Sequence, residues 1–223
     1  MPESKNLSTK LLSLLVTLAV SSLASAQLIV IDEFSQSVDL TDTPWATTVS
    51  LPQYNPADYG GSVLAEIMFT LDGEAESSVD LTAITDSSVL QGEVGAIVTA
   101  KNSTLGLELN ALPMGTYAPP TIPVLSGSTT TLADVSGMDI DMEVLNGSSM
   151  DPYIGTGSFT VDLDAIGSSS QALAGGNVDV SQRTQALAVL TVQYKVEEVV
   201  PEPAAATMAL FAVLGIMGFR RRR

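Results

Sequence analysis

The chain has 223 residues, a formal net charge of −16, and neither cysteine nor histidine. Without cysteine there is no disulfide and no thiol chemistry, so a folded domain must rely on an ordinary hydrophobic core. The two absences also exclude Ser-His-Asp and Cys-His triads and most zinc sites. Carboxylate chemistry is the main catalytic option that remains.

The first 26 residues follow the order of a secretory signal peptide. Lys5 and Lys10 form a basic region, an apolar stretch covers residues 11–23, and Ala24 and Ala26 outline a small-x-small cleavage site. The alternative is a buried amphipathic helix, which would not require this order of basic, apolar and small residues. We therefore expect export, with cleavage before Gln27.

Residues 27–198 are predicted to form one all-β domain, an antiparallel two-sheet sandwich. Val63–Leu71 alternates apolar and polar residues, and the turn signal Asp72-Gly73 follows, so a hairpin with residues 79–83 is expected. Many short strands without helical periodicity favour a sandwich. Further strands are predicted at 28–34, 94–100, 104–110, 129–135, 138–144, 159–165 and 187–199, with polar breaks at 146–149 and 168–170.

Two of these strands alternate carboxylates with apolar residues. The apolar set 138, 140, 142 and 144 is expected to face the core, which leaves Asp139, Asp141 and Glu143 on a solvated face. Asp162 and Asp164 follow the same pattern in the later strand. Calcium needs six to eight oxygens, which one straight strand cannot supply, so a calcium site is an alternative only if loops contribute.

The predicted exported region is strongly acidic. Residues 27–200 contain 23 acidic residues but only Lys101, Arg183 and Lys195 as bases, a formal charge of about −20. This charge repels nucleic acid, so no nucleic-acid partner is expected. Solubility outside the cell is a sufficient explanation. The alternative is cross-linking of a matrix through divalent cations.

Aromatic residues mark one candidate recognition surface. Trp45, Tyr54 and Tyr59 fall among prolines and glycines between residues 44 and 61. Aromatic rings with a polar edge suit sugar stacking, so these three residues are candidate glycan contacts. The alternative is that Trp45 caps the open end of the sandwich while the tyrosines pack along its edge.

The C-terminus combines three features in a fixed order. Pro201-Glu202-Pro203 interrupts regular structure, an uncharged apolar run extends from Ala204 to Phe219, and Arg220, Arg221, Arg222 and Arg223 act as a stop-transfer signal. The apolar run has 16 residues, about 24 Å as a helix, against a hydrocarbon core of roughly 30 Å. We therefore predict a transmembrane helix that serves as a weak or temporary anchor.

Together these features resemble the PEP-CTERM family of exported bacterial proteins, with residues 199–223 as the sorting segment. The resemblance implies processing near the Pro-Glu-Pro motif by an exosortase, a membrane enzyme similar to cysteine transpeptidases. It also implies bacteria that make extracellular polysaccharide.

A second resemblance concerns the sandwich. Residues 29–34, 132–140 and 161–166 resemble jelly-roll domains that are often joined to these tails and are similar to concanavalin-like carbohydrate-binding modules. The likeness consists largely of strand alternation. It therefore supports the fold, and says little about activity.

The sequence therefore predicts a protein of the cell envelope or extracellular matrix, exported through the inner membrane and held transiently by its C-terminus. We expect a non-catalytic structural or interaction role, with no cofactor. The predicted partners are an exosortase, the inner membrane and extracellular polysaccharide. The alternatives are a glycan-binding module and, third, a carbohydrate-active enzyme using a carboxylate pair, which needs two carboxyls about 5–10 Å apart.

Overall fold

The computed structural model describes residues 25–118 and 121–200. Residues 30–196 form one compact unit, and the strand ends at 25–29 and 197–200 fall outside it. The ten strands are β1 (Ser25–Asp42), β2 (Trp45–Pro52), β3 (Leu64–Ala83), β4 (Ser87–Asn102), β5 (Leu107–Ala111), β6 (Met114–Ala118), β7 (Ile122–Val124), β8 (Thr129–Leu145), β9 (Ser158–Ala174) and β10 (Val178–Val200). Two short 3₁₀ helices, Pro56–Tyr59 and Gly147–Tyr153, lie between strands.

The strands form two antiparallel sheets with a shared core. The first sheet has the order β1-β10-β3-β8, and the second has the order β2-β9-β4-β5, with β6 and β7 also paired to β4. Phe69 and Leu190 from the first sheet and Val98 and Leu163 from the second are fully buried in one cluster. This confirms the predicted all-β, two-sheet antiparallel architecture.

Residues 1–24 of the predicted signal peptide and the predicted transmembrane helix lie outside the described residues. Within residues 25–118 and 121–200, no helix is both long and apolar enough to cross a membrane. The signal peptide, the anchor and the domain limits at 26 and 198 stay predictions.

The predicted hairpin at Asp72-Gly73 is wrong. Both residues lie in the middle of β3, where Gly73 pairs with Ala188 of β10 on one side and Asp139 of β8 on the other. A β-carbon on Gly73 would lie 3.1 Å from that of Ala111 in the second sheet. The glycine therefore allows the two sheets to approach closely and does not form a turn.

One other predicted break is also wrong, and two strands that were predicted separately are one. Residues 129–135 and 138–144 belong to one continuous strand, β8, and the serine cluster at 168–170 lies within β9, paired with β4. The predicted break at 146–149 is present, because Asn146 precedes the second 3₁₀ helix and Gly147 has a φ of 58°. Polar residues alone therefore did not distinguish a loop from an exposed strand.

Candidate functional site

The sorting residues lie beyond the part of the chain that the structure describes. Pro201, Glu202, Pro203 and the four terminal arginines follow the end of β10, and Ala24 precedes β1, whereas Ala26 and Gln27 lie within β1. In the sequence, only residues 197–200 separate Val196, the last buried residue of the compact unit, from Pro201. The sorting motif therefore follows the folded domain with a very short connection.

Trp45 is the first residue of β2 and is half-buried. Its indole Nε1 donates a hydrogen bond to the carbonyl oxygen of Ala186 at 3.1 Å, which connects β2 of the second sheet to β10 of the first. Because β2 has eight residues, Trp45 lies roughly 23 Å from the other end of the strand, where Pro52 leads to Tyr54. The structure therefore does not bring the three predicted aromatic contacts together.

Tyr54 and Tyr59 do lie together. Their rings stack with centroids 5.2 Å apart and an interplanar angle of 5°, and the ring of Tyr194 lies 5.7 Å from that of Tyr54. Tyr54 is 1% exposed, and its hydroxyl donates to the carbonyl oxygen of Ser62 at 2.7 Å. Its ring is thus enclosed by protein, and a sugar would have to displace Tyr59 to stack on it.

Tyr59 is fixed through its polar end. Its hydroxyl donates a hydrogen bond to the Asp32 carboxylate. That bond, supported by burial and nearby negative charge, raises the pKa of Tyr59 to about 12. The phenol is therefore protonated at neutral pH and acts as a link between β1 and the loop that follows β2.

The carboxylates of β8 have an orientation opposite to the prediction. Asp139, Asp141 and Glu143 pair with Gly73, Leu71 and Phe69 of β3, so their side chains point to the inner face of the first sheet. Strict alternation reveals the period of a strand, but it does not show which face is inside. The prediction that these acids form a solvated outer face is therefore wrong.

Two of these acids bond to the edge of the other sheet. The Asp141 carboxylate accepts a hydrogen bond from the amide of Asn110 at 2.7 Å, and the Asp139 carboxylate accepts one from the amide of Leu112 at 2.7 Å. The bonds satisfy outward-facing amides at and beside β5, where the second sheet ends. Inward-pointing acids that occupy an edge in this way oppose pairing with another chain.

Glu143 acts on a buried phenol through its charge. Tyr153 in the second 3₁₀ helix is 0% exposed and contacts Phe69 and Phe159 through tilted and edge-to-face ring contacts. Burial, with a smaller contribution from the charge of Glu143, raises the pKa of Tyr153 to about 12. The three rings form an aromatic group within the core.

All three bases in the described ranges form ion pairs. Lys195 Nζ lies 2.7 Å from Glu66 Oε1, Arg183 lies 2.9 Å from Asp42, and Lys101 lies 3.7 Å from Glu108. Hydrogen bonds from Arg183 and Gln185 hold the pKa of Asp42 below its usual value. The remaining carboxylates outnumber these pairs, so the surface has a large excess of negative charge.

Among residues 25–118 and 121–200, no group of three or more acidic side chains is arranged to hold a metal ion. The oxygens of Asp139 and Asp141 that face β5 are already engaged by backbone amides. A calcium site at β8 stays an untested alternative.

The apolar side of β8 faces outward. We call this set the β8 apolar row: Met138, Ile140, Met142 and Val144, with exposed fractions of 74%, 55%, 61% and 49%. The residues alternate with the inward carboxylates along one strand. The expectation that this row faces the core is therefore wrong, and it forms an apolar surface at the edge of the first sheet.

Comparison with solved structures finds distant matches. The chain matches structures of infectious bursal disease virus strains Gx and Gt with 9% and 10% sequence identity and a TM-score of 0.17 in both cases. The alignments cover 85% and 91% of this chain and 47% and 51% of the viral chains, so the chain spans about half their length. At these scores the matches do not identify the fold.

Comparison with protein families gives a clear result for the C-terminus. Residues 199–223 match the PEP-CTERM protein-sorting motif, while no curated protein matches the chain. The match covers the Pro-Glu-Pro residues, the apolar run and the arginines on which the sequence prediction depends. The chain therefore ends in a PEP-CTERM sorting motif, the type recognised by an exosortase, which implies export and C-terminal anchoring until processing.

Proposed function

We propose that this protein is an exported bacterial protein of the envelope or extracellular matrix, sorted by an exosortase, whose sandwich has a non-catalytic structural or interaction role. The observation that carries the proposal is the match of residues 199–223 to the PEP-CTERM sorting motif. The signal-peptide pattern at residues 1–26 supports export from the other end of the chain.

The chemistry of the described residues supports the non-catalytic part of the proposal. The chain has no histidine or cysteine, and the pKa values of Tyr59, Tyr153 and Tyr194 are raised, so these phenols stay protonated at neutral pH. The carboxylates of Asp139 and Asp141 accept hydrogen bonds from backbone amides at the edge of the sandwich. These contacts connect the groups to the fold, which favours a structural role for them.

Glycan binding is the second proposal. Its aromatic basis is limited, because Tyr54 is enclosed and Trp45 lies at the far end of β2. A carbohydrate-active enzyme with a carboxylate pair ranks third, since no particular pair is favoured by the contacts described above. Extracellular polysaccharide is a proposed partner in all three cases.

The sorting proposal is tested by replacing Glu202 with alanine in a host that contains the cognate exosortase. We expect the Glu202→Ala protein to be exported but to accumulate in the unprocessed, membrane-associated form, because the charged centre of the motif is lost. Cell fractionation and the mass of the C-terminal fragment measure the result.

Glu198→Ala is the matched control, since it removes the same side chain four residues earlier, within β10 and outside the Pro-Glu-Pro residues. It should be processed like the parent. If both variants and the parent show the same processing and location, the motif is not being read and the proposal fails.

A further inference from the structure

The outer face of the first sheet has an ordered pattern of apolar and acidic residues across three strands. In two successive rows, Leu187–Glu74–Met138 and Val189–Asp72–Ile140, an acid of β3 lies between an apolar residue of β10 and one of β8. Residues directly opposite each other in an antiparallel sheet point to the same face. The two carboxylates are therefore bordered by apolar side chains on both sides.

The two acids have no partner within the described part of the chain. Asp72 and Glu74 are half-buried, and neither side-chain carboxylate accepts a hydrogen bond from, or forms an ion pair with, residues 25–118 or 121–200. By contrast, Glu66 on the same face of β3 is paired with Lys195. An apolar border reduces solvation of a carboxylate, so a cation delivered there would interact more strongly than at an open surface.

The charge and the side-chain types of this face indicate which kind of partner it can bind. A second copy would bring the same carboxylates and an exported region of about −20. Anionic lipid and nucleic acid are repelled for the same reason. The rows contain no aromatic ring, which disfavours sugar stacking. Met138 and Met142 provide flexible side chains that adapt to a protein surface.

We propose that this face, formed by the β8 apolar row together with Asp72 and Glu74, binds a cationic amphipathic helix of another protein. The inference deepens the proposed interaction role and depends on it. Asp72 and Glu74 are two positions apart on β3, about 6.6 Å along the strand. Two arginines or lysines at positions i and i+4 of a helix are about 6.0 Å apart along its axis, which matches that spacing.

The docked helix lies along β3. Its two cations pair with the carboxylates, and leucine-type residues beside them contact the β8 apolar row on one side and Leu187 and Val189 on the other. Helix recognition through apolar anchors at such spacings is a recurring mode of peptide binding. The Arg or Lys charges provide selectivity, and the apolar contacts provide most of the buried area.

The test uses the full-length protein in nanodiscs of neutral phosphatidylcholine, with the signal from empty nanodiscs subtracted. The probe is a fluorescent 20-residue helical peptide with arginines at i and i+4 flanked by leucines on the same face. Two matched peptides carry glutamate in place of arginine or serine in place of leucine. Fluorescence anisotropy should show binding of the arginine–leucine peptide, about tenfold weaker binding of each control, and weaker binding at high salt.

Variants of the protein test the face itself. Asp72→Asn/Glu74→Gln should weaken binding about tenfold, as should Met138→Thr/Met142→Thr, whose side chains are exposed enough that the melting temperature should not change. The matched control Glu93→Gln/Asp164→Asn removes two charges from the second sheet and should leave binding within about twofold.

Equal binding of the three peptides, or unchanged binding by both face variants, would overturn the proposal. So would a wild-type protein that binds no peptide because a second copy or its own residues 204–223 cover the face. Sedimentation of the Met138→Thr/Met142→Thr variant identifies the second copy in that case. The assay does not depend on processing, so its failure is distinct from failure of the sorting proposal.

Discussion

At the scale of single residues, the hydrogen bonds of Asp141 and Asp139 explain why acids alternate with apolar residues in β8. At the end of the second sheet, the Asp141 carboxylate accepts a hydrogen bond from the backbone amide of Asn110, and the Asp139 carboxylate accepts one from that of Leu112. Replacing Asp141 with alanine leaves the Asn110 amide without its partner. We expect the free energy of unfolding to fall by about 1–2 kcal/mol, measured by urea denaturation.

Asp141→Asn provides the control for charge. The amide oxygen of asparagine can still accept the hydrogen bond, so this variant should lose less than half as much stability as Asp141→Ala. Equal losses in the two variants would mean that the negative charge, and not the hydrogen bond to Asn110, is what matters.

At the scale of elements, close approach of strands decides where glycine is required. Gly137 of β8 faces β6, and a β-carbon there would lie 2.4 Å from the carbonyl carbon of Met114. Backbone cannot yield as a flexible side chain can, so Gly137→Ala should cost about 1–3 kcal/mol or more. Thermal unfolding of the full-length protein measures the loss.

Gly73→Ala is the matched substitution in β3. Its new β-carbon would lie 3.1 Å from that of Ala111, which requires a shift of only a few tenths of an ångström. We expect a change within about 1 kcal/mol, since reduced freedom of the unfolded chain offsets part of the crowding. A large loss at Gly73 with little loss at Gly137 would contradict the strand positions described here.

At the scale of the whole molecule, the tyrosines make stability depend on alkaline pH. All five have a raised pKa, which reaches about 12 for Tyr59 and Tyr153. The neutral phenol is favoured in the folded state, so its contribution is complete below pH about 10. As the pH rises from about 10 towards 12 and beyond, that contribution is lost and the free energy of unfolding falls.

Absorbance at 295 nm follows this ionisation directly. The folded protein should show less phenolate at pH 10.5 than the same protein in concentrated urea, which should titrate with a midpoint near 10. Five phenols that titrate near pH 10 without loss of the fold would contradict the enclosed arrangement of these rings.

Several features of the fold followed from local patterns. Residues 159–165 were expected to alternate, and Phe159, Val161, Leu163 and Ala165 are indeed buried. The all-β class and two sheets followed from many such segments. The hairpin failed because β3 pairs with β8 and β10, which lie much later in the chain, while its sequence neighbour β4 belongs to the other sheet. Local turn preferences carry no information about such distant pairing.

The face formed by the β8 apolar row with Asp72 and Glu74 was also only partly predictable from the sequence. The sequence showed that apolar and acidic residues alternate over 138–144. Which of the two sets faces the core depends on the edge at β5, where backbone amides need acceptors on the inner side of β8. Once the acids turn inward to meet those amides, the apolar row must turn outward, because successive side chains of a strand point to opposite faces. The carboxylates of Asp72 and Glu74 have apolar side chains on both sides only because β8 and β10 lie on either side of β3.

The sequence by itself determined the export pattern, the sorting motif and the alternation of the strands, because each depends on the order of residues within a short segment. Only the tertiary structure decided that Asp72-Gly73 lies within a strand, that the carboxylates of β8 close an edge, and that Met138 to Val144 face outward. Those outcomes depend on which distant strands lie side by side, and the free energy of that pairing is not contained in any local segment.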